Sequence, residues 1–371
     1  MPSRGRIGPV NVTWDQVFSW RMKRQYLDAP GDAGSVEVVR RLAGVQAQVA
    51  SSAEFAVAVR QAMPRGEQVK KALAQRHLVK TWAMRGTLHV LAPDDAGAYL
   101  SLMAAGRSWE RPSWQKASGV SPAEMESLRE AVGAALNGDP MTREQLVDHI
   151  AGTMRNPAVA EGLRSGWGSL LKPLAWQGVV CHGPSQGTRV TFTRPDGWFA
   201  SWGGVPEPAA AARTVIPAYL GAHGPAGIET FGNWLSRGVT SKRLLKEWFA
   251  AADDVLTTVD VEGQALLARA EDVDELAATK PSKMVRLVGG FDHYVLGPGT
   301  GDPQLIPPHR RGEVSKAAGW IAPVVIWRGR VAGTWEVVDG SVAVTLFPEA
   351  DGVPARALAA EVERITPLVL T

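Results

Sequence analysis

Three times along the chain, segments with helical apolar periodicity are followed by two short β-prone runs separated by a turn, and this recurrence constrains the fold more than any composition figure. In the first unit, Thr13 caps a helix carrying Trp14, Val17, Phe18 and Met22 on one side, and Ser35 caps a second with Val38, Val39 and Leu42 as its stripe. Residues 70–76 continue a third helix. Residues 81–91 change to strand character about a turn at Arg85-Gly86, and Pro93-Asp94-Asp95 opens another helix.

The second unit is the clearest. Thr142 and Gln145 form a capping box, and a helix including Trp167, Leu170, Leu171 and Leu174 ends near Gly178. Residues 179–182 and 188–192 are then strands joined across 183–187. In the third unit, helices near 215–221, 227–235 and 240–251 precede strands at 255–259 and 265–269. The Pro/Gly/Ala-rich stretch 202–212 separates it from the second. Beyond about residue 280 the pattern becomes a hairpin of 320–327 and 331–338 turning at 328–330, a strand at 342–347 and a helix at 354–365. The expected fold is α+β: winged helix-turn-helix units at 10–135, 136–202 and 213–280, and a mixed α/β lobe at 281–371.

Composition narrows the function. The 371 residues are 45% hydrophobic, enough for real cores, and the formal net charge is only +3. Its distribution is more informative: residues 1–100 hold 14 basic and 8 acidic side chains, whereas 245–280 hold 3 and 9. A basic working face separate from an acidic region is one reading; an unevenly charged solvated surface is the other. Cys181 is the only cysteine, which excludes an intrachain disulfide and a multi-thiolate metal site, and reads as a buried, inert thiol. No apolar run is long enough to cross a membrane, and Met1-Pro2-Ser3-Arg4 leads into no secretory segment, so a cytoplasmic location is expected. There is no phosphate-binding Walker loop, dinucleotide fingerprint or HExxH motif, so no nucleotide, nicotinamide or metal cofactor is expected.

The chemistry-bearing candidates are neutral. Gln46 lies four residues after Leu42 and seven after Val39, so a continuing helix puts its amide on the apolar stripe, where it needs partners or a water-filled cleft. Gln48 would sit about 200° farther round an ideal helix, so joint action requires the helix to end, bend at Gly44 or distort near Ala47. On residue chemistry alone the pair reads either as two structural glutamines or as a device for orienting water.

Gly44 to Gln48, the run Trp82-Ala83-Met84-Arg85-Gly86-Thr87-Leu88-His89, the run Phe291-Asp292-His293-Tyr294-Val295-Leu296-Gly297, and Gly333-Thr334-Trp335 together resemble the bacterial winged-helix DNA glycosylases of the AlkZ/YcaQ-like family. The resemblance spans most of the chain. Gln-Ala-Gln resembles the branch with two glutamines around a hydrophobic residue rather than the branch with Asp at the second position. It implies a C-shaped assembly acting on bulky alkylated purines, including N7-alkylguanine, and on interstrand crosslinks in the antibiotic-resistance branch. It also implies Gln46 and Gln48 as the catalytic positions and a DNA-inserting hairpin, placed here at 182–189.

The expected partner is alkylated or crosslinked double-stranded DNA, bound by a monomer that is nucleoid-associated when engaged and needs no cofactor. Candidate DNA contacts are Arg85, His89, His182, Gln186, Arg189, Arg310 and Arg311, the arginines because a guanidinium presents several donors to phosphate. Asp292 and His293 are candidates for orienting active-site groups or for joining layers. Trp82, Trp109, Trp114 and Trp167 read as core anchors before stacking platforms. The competing function is a noncatalytic winged-helix DNA-binding protein or transcriptional regulator; an architectural protein assembling through its hairpins is a further alternative.

Overall fold

A computed structural model describes residues 10–63 and 66–370, and the Met1–Arg4 start lies outside the described residues. The fold is mixed α+β, with three sheets. Among the described residues no helix is long and apolar enough to cross a membrane.

The largest sheet has six antiparallel strands in the order Val45–Gln46, Leu88–Leu91, Val79–Trp82, Cys181–His182, Thr191–Thr193, Met141–Thr142. Two hairpins distant in sequence therefore share one sheet, joined where Lys80 pairs with His182. Period-two patterning gives each hairpin separately; it carries no signal for their edge-to-edge union. Cys181 is buried there, and burial pushes its thiol pKa up.

A three-stranded sheet pairs Leu256–Val261 antiparallel with Gln264–Arg269 and parallel with Val10–Val12. The start of the described chain thus packs with residues that follow it by about 250 positions, and Val12, Trp14, Val17 and Phe18 belong to the core that also contains Val259, Leu287 and Ile326. The remaining sheet runs Val285–Val288, Val324–Trp327, Arg330–Val338, Ser341–Leu346, with the Ala355–Val369 helix packed on it. Val285–Val288 is a fully buried strand of four residues, too short and, with Arg286 buried among its apolar residues, too atypical for alternation to reveal.

Side-chain caps start six of the eighteen α-helices among the described residues. Thr13 and Thr142 both close capping boxes, with Gln16 and Gln145 respectively. Ser35 does not cap: Gly34 holds that position and Ser35 is the first helical residue. The helix expected at 215–221 extends over Pro208–His223, because Pro208 is pre-set for a first turn and an alanine run follows it. Helix Leu171–Trp176 omits Trp167, which is 78% exposed rather than a core anchor. Strand geometry begins at Val324, not Trp320, after Pro323.

The most consequential stop is at the end of helix Ser35–Arg41. Gly44 N–H donates to Val39 O and Ala43 N–H to Arg40 O, the paired bonds of a Schellman termination, with Ala43 at φ 56° and Gly44 at φ 96°. Ala occupies the left-handed position usually given to Gly, which is why periodicity alone carries the helix onward. The chain instead reverses into strand Val45–Gln46, pairing with Val90 and His89.

Candidate active site

The turn at 43–44 decides where the two glutamines go. There the helix ends and Val45–Gln46 becomes strand, so the 200° separation of an ideal helix no longer applies, while Gln48 lies in the bend that follows the strand. Gln46 is 6% exposed and lines a cleft of about 720 Å³; Gln48 is exposed.

Both amides are anchored by the same hairpin turn. Arg85 Nη2 donates to Gln46 Oε1 at 3.0 Å, and the Leu88 backbone N–H donates to Gln48 Oε1 at 3.3 Å. A guanidinium has only donors, so Gln46 must present its oxygen to Arg85 and its NH2 elsewhere. Arg85 itself is held by a second bond, from Nη1 to Trp234 O at 3.1 Å, and its backbone is left-handed at φ 58°.

Beneath Gln46 lies a buried polar layer. The Gln46 backbone N–H donates to His293 Nε2 at 2.8 Å, which requires a neutral ring with its proton on Nδ1. Asp292 holds Arg60 with two bonds, 2.7 and 2.8 Å, both side chains fully buried, and also accepts from Tyr294 N–H. Arg60 continues to Gln25 Oε1, and Gln25 Nε2 donates to His223 Nδ1 and to Ala222 O. His223 Nε2 then donates to Leu42 O, closing the layer back onto the end of the helix that leads to Gln46. Gly297 passes so close to His223 that a Cβ there would lie 2.1 Å from Nδ1.

None of these groups is set up as a strong acid or base. Burial, then the Arg85 charge, lowers His89 to about 3, and burial lowers His223 to about 3 and His293 well below its ordinary value. Burial also lowers Arg85 to about 10, which leaves it charged at neutral pH.

The cleft is electropositive: Arg21, Arg85, Arg237 and Arg311 line it against one carboxylate, Asp302, whose Oδ1 accepts from Gln304 N–H. Arg237 and Arg311 are exposed, whereas Arg21 is tied to the carbonyls of Gly224 and Pro225.

Among the residues singled out from sequence, the structure brings together Gln46, Arg85, Asp292, His293 and, on the cleft wall, Arg311. Gln186 and Arg189 bond each other's backbones at the exposed tip of the 183–190 loop. Three expectations are corrected. His89 is fully buried edge-on to His293, with Nδ1 bonded to Thr87 O, and cannot touch DNA in this fold. His182 packs between Trp82 and Phe192 with Nε2 enclosed, so it supports the sheet instead. Arg310 bonds Glu349 and Glu313, which engages three of its five donors and pairs its charge with carboxylates rather than leaving it for a phosphate. Arg60, Gln25, His223, Arg237 and Trp234 escaped sequence reasoning, because their roles arise only from contacts across 35 to 232 positions or from the cleft wall.

The site is thus a basic cleft whose floor presents an anchored neutral amide, complementary in charge to DNA. The chain belongs to the AlkZ-like DNA glycosylase family, which matches residues 39–367, and is thus a hydrolase of N-glycosyl bonds. It is 52% identical over 357 residues, 96% of each chain, to the interstrand DNA cross-link repair glycosylase of Streptomyces sahachiroi. The solved structure of Streptomyces sahachiroi DNA glycosylase AlkZ aligns with a TM-score of 0.93 at 52% identity, covering 96% of this chain and 98% of that one. Membership favours catalysis over a purely DNA-binding or regulatory role.

Proposed function

We propose that the protein is a monofunctional glycosylase for bulky N7-alkylated purines in double-stranded DNA, that it unhooks interstrand crosslinks made through such positions, and that Gln46 and Gln48 position the attacking water. The observation that carries this reading is the anchored amide of Gln46 on a basic cleft without a poised general base.

Alkylation at N7 makes the purine cationic. When the C1′–N9 bond breaks, its electron pair stays on N9 and the base departs neutral, so leaving-group protonation is unnecessary. Water oxygen then bonds to C1′ and its surplus proton passes to solvent. Gln cannot hold that proton, but an oxygen with one lone pair still open and an NH2 group can fix the water at the sugar. Unalkylated purines, which leave as anions, are poor substrates for such a site. Crosslink unhooking is supported by the name of the Streptomyces relative and by the openness of a cleft that does not demand a fully extruded base.

In this reading the helix-and-hairpin groups at 10–135, 136–202 and 213–280 act as tandem winged helices in a C-shaped monomer around the duplex, with the 281–371 lobe supporting His293. The exposed 183–190 loop, with Gln186 and Arg189 at its tip, is the DNA-inserting element, and Arg311 contacts phosphate. Incubation with duplex DNA containing one N7-alkylguanine should release the free modified base. No product above that of a Gln46→Ala/Gln48→Ala control would reject the activity for that lesion.

A further inference from the structure

Among the described residues Arg85 is the one charged side chain bonded to either glutamine amide, and it holds a backbone conformation that costs a non-glycine residue about 1 kcal/mol or more. Such strain persists only where the surroundings enforce it. Here the enforcing contacts are the bonds from Nη1 to Trp234 O and from Nη2 to Gln46 Oε1, with the Cβ position of the neighbouring Gly86 kept open between Lys172 and Trp176. Burial makes the arrangement stiff, since a cation at the cleft floor keeps bonds it would exchange with water at the surface.

We infer that Arg85 is a positioning residue for hydrolysis, acting through Gln46 rather than on DNA. A free glutamine amide can turn over, exchanging oxygen for NH2 at nearly equal energy, and one of its two orientations would present a donor where the water needs an acceptor. Arg85 removes that degeneracy. It takes one lone pair of Oε1, leaves the other for the water, and directs Nε2 away from itself. The inference rests on Gln46 being catalytic. It assigns Arg85 a role different from a phosphate clamp, although two of its five donors are engaged and the residue lines the cleft.

The decisive experiment is a double-mutant cycle, read as single-turnover release of N7-methylguanine from duplex DNA at saturating enzyme, with DNA affinity measured separately over a range of salt. Arg85→Ala should slow release about 10- to 100-fold, the size of losses seen when an orienting partner is removed, while DNA affinity changes by less than about threefold. In the Gln46→Ala background the same substitution should cost almost nothing, because its route of action is already gone. Arg85→Lys should remain slow, since one ammonium cannot bond Trp234 O and Gln46 Oε1 in the same fork, and added guanidinium should restore part of the Arg85→Ala rate. Circular dichroism melts of each variant establish that the folded protein is being assayed, and Arg85→Lys serves if Arg85→Ala does not fold.

Independent, additive losses in the cycle would overturn the inference. So would an unchanged saturated rate with weakened DNA binding and a salt slope smaller by about one, the signature of a lost phosphate contact. A wild-type rate for Gln46→Ala alone would instead sink the catalytic assignment of Gln46, a separate result visible in the same data.

Discussion

At the level of single residues, the site achieves its character by keeping titratable groups out of titration. His89, His223 and His293 sit beneath or beside Gln46, each enclosed, and each remains neutral because burial penalises the imidazolium. Arg85, lowered to about 10, stays cationic. No group in contact with Gln46 therefore changes charge across the neutral range, and the saturated rate of base release should be flat between about pH 6 and 9. A bell-shaped profile with a limb near the histidine range would contradict that and reveal a general base. The glutamine pair and its neighbours Asp292 and His293 were legible in the sequence because they are consecutive or near-consecutive in short runs. The partnerships were not: Gln46 with Arg85 is a side-chain contact across 39 positions and Gln46 with His293 one across 247. Nothing in a local pattern separates an enclosed histidine ring from one that faces solvent, so His89 and His182 read as DNA contacts until the burial of His89 and the enclosure of His182 Nε2 are seen.

At the level of elements, the turn after helix Ser35–Arg41 is the part on which the site depends. Gly44 sits at φ 96°, and a Cβ there would meet Leu91 Cδ2 at 2.7 Å and the Met84 Cε at 3.0 Å. Gly44→Ala should accordingly destabilise the protein by about 1–3 kcal/mol and reduce base release by more than the loss of folded protein explains, since Val45–Gln46 would be pushed off strand Leu88–Leu91. Thermal denaturation alongside single-turnover rates separates the two effects; a variant as active and stable as the parent would show that the turn has slack. Sequence reading located Gly44 as a bend point but could not choose between a bend and a continuing helix, because the deciding residue, Ala43, adopts a left-handed conformation that its side chain does not advertise. By contrast, the cap at Thr13 and the capping box at Thr142 were legible, since their chemistry lies within four residues.

For the whole molecule, enclosure of neutral histidines ties stability to acidity. His89, His182 and His223 are lowered to about 3 and His293 also falls well below its ordinary value, each chiefly by burial. Between the folded and unfolded values the unfolded chain binds more protons, so stability is full above about pH 6.5 and falls as pH drops below it, each such histidine adding to the slope. The melting temperature should hold steady from about pH 7 to 8 and then drop steeply towards pH 5, more steeply than in a variant with His182→Gln. An acid-insensitive melting temperature would mean that these rings find water or partners when protonated. The sharing of one sheet by two distant hairpins, and of one core by residues 12–18 with residues beyond 259, was beyond sequence reach for a physical reason. Strand edges carry no mark of which other edge will bond them, and the order of units along the chain says little about which cores fuse.

The acceptor for the Gln46 amide proton is His293, 247 positions downstream, and the strand at Val10–Val12 waits for Leu256–Val261. During synthesis Gln46 therefore emerges early and meets Arg85 and strand Leu88–Leu91 soon after, but the buried layer beneath it stays open until more than three quarters of the polypeptide has left the ribosome, and such late-closing contacts slow folding. A fragment trimmed from its carboxyl end back past residue 292 would carry both glutamines and lack the Asp292 and His293 partners beneath Gln46.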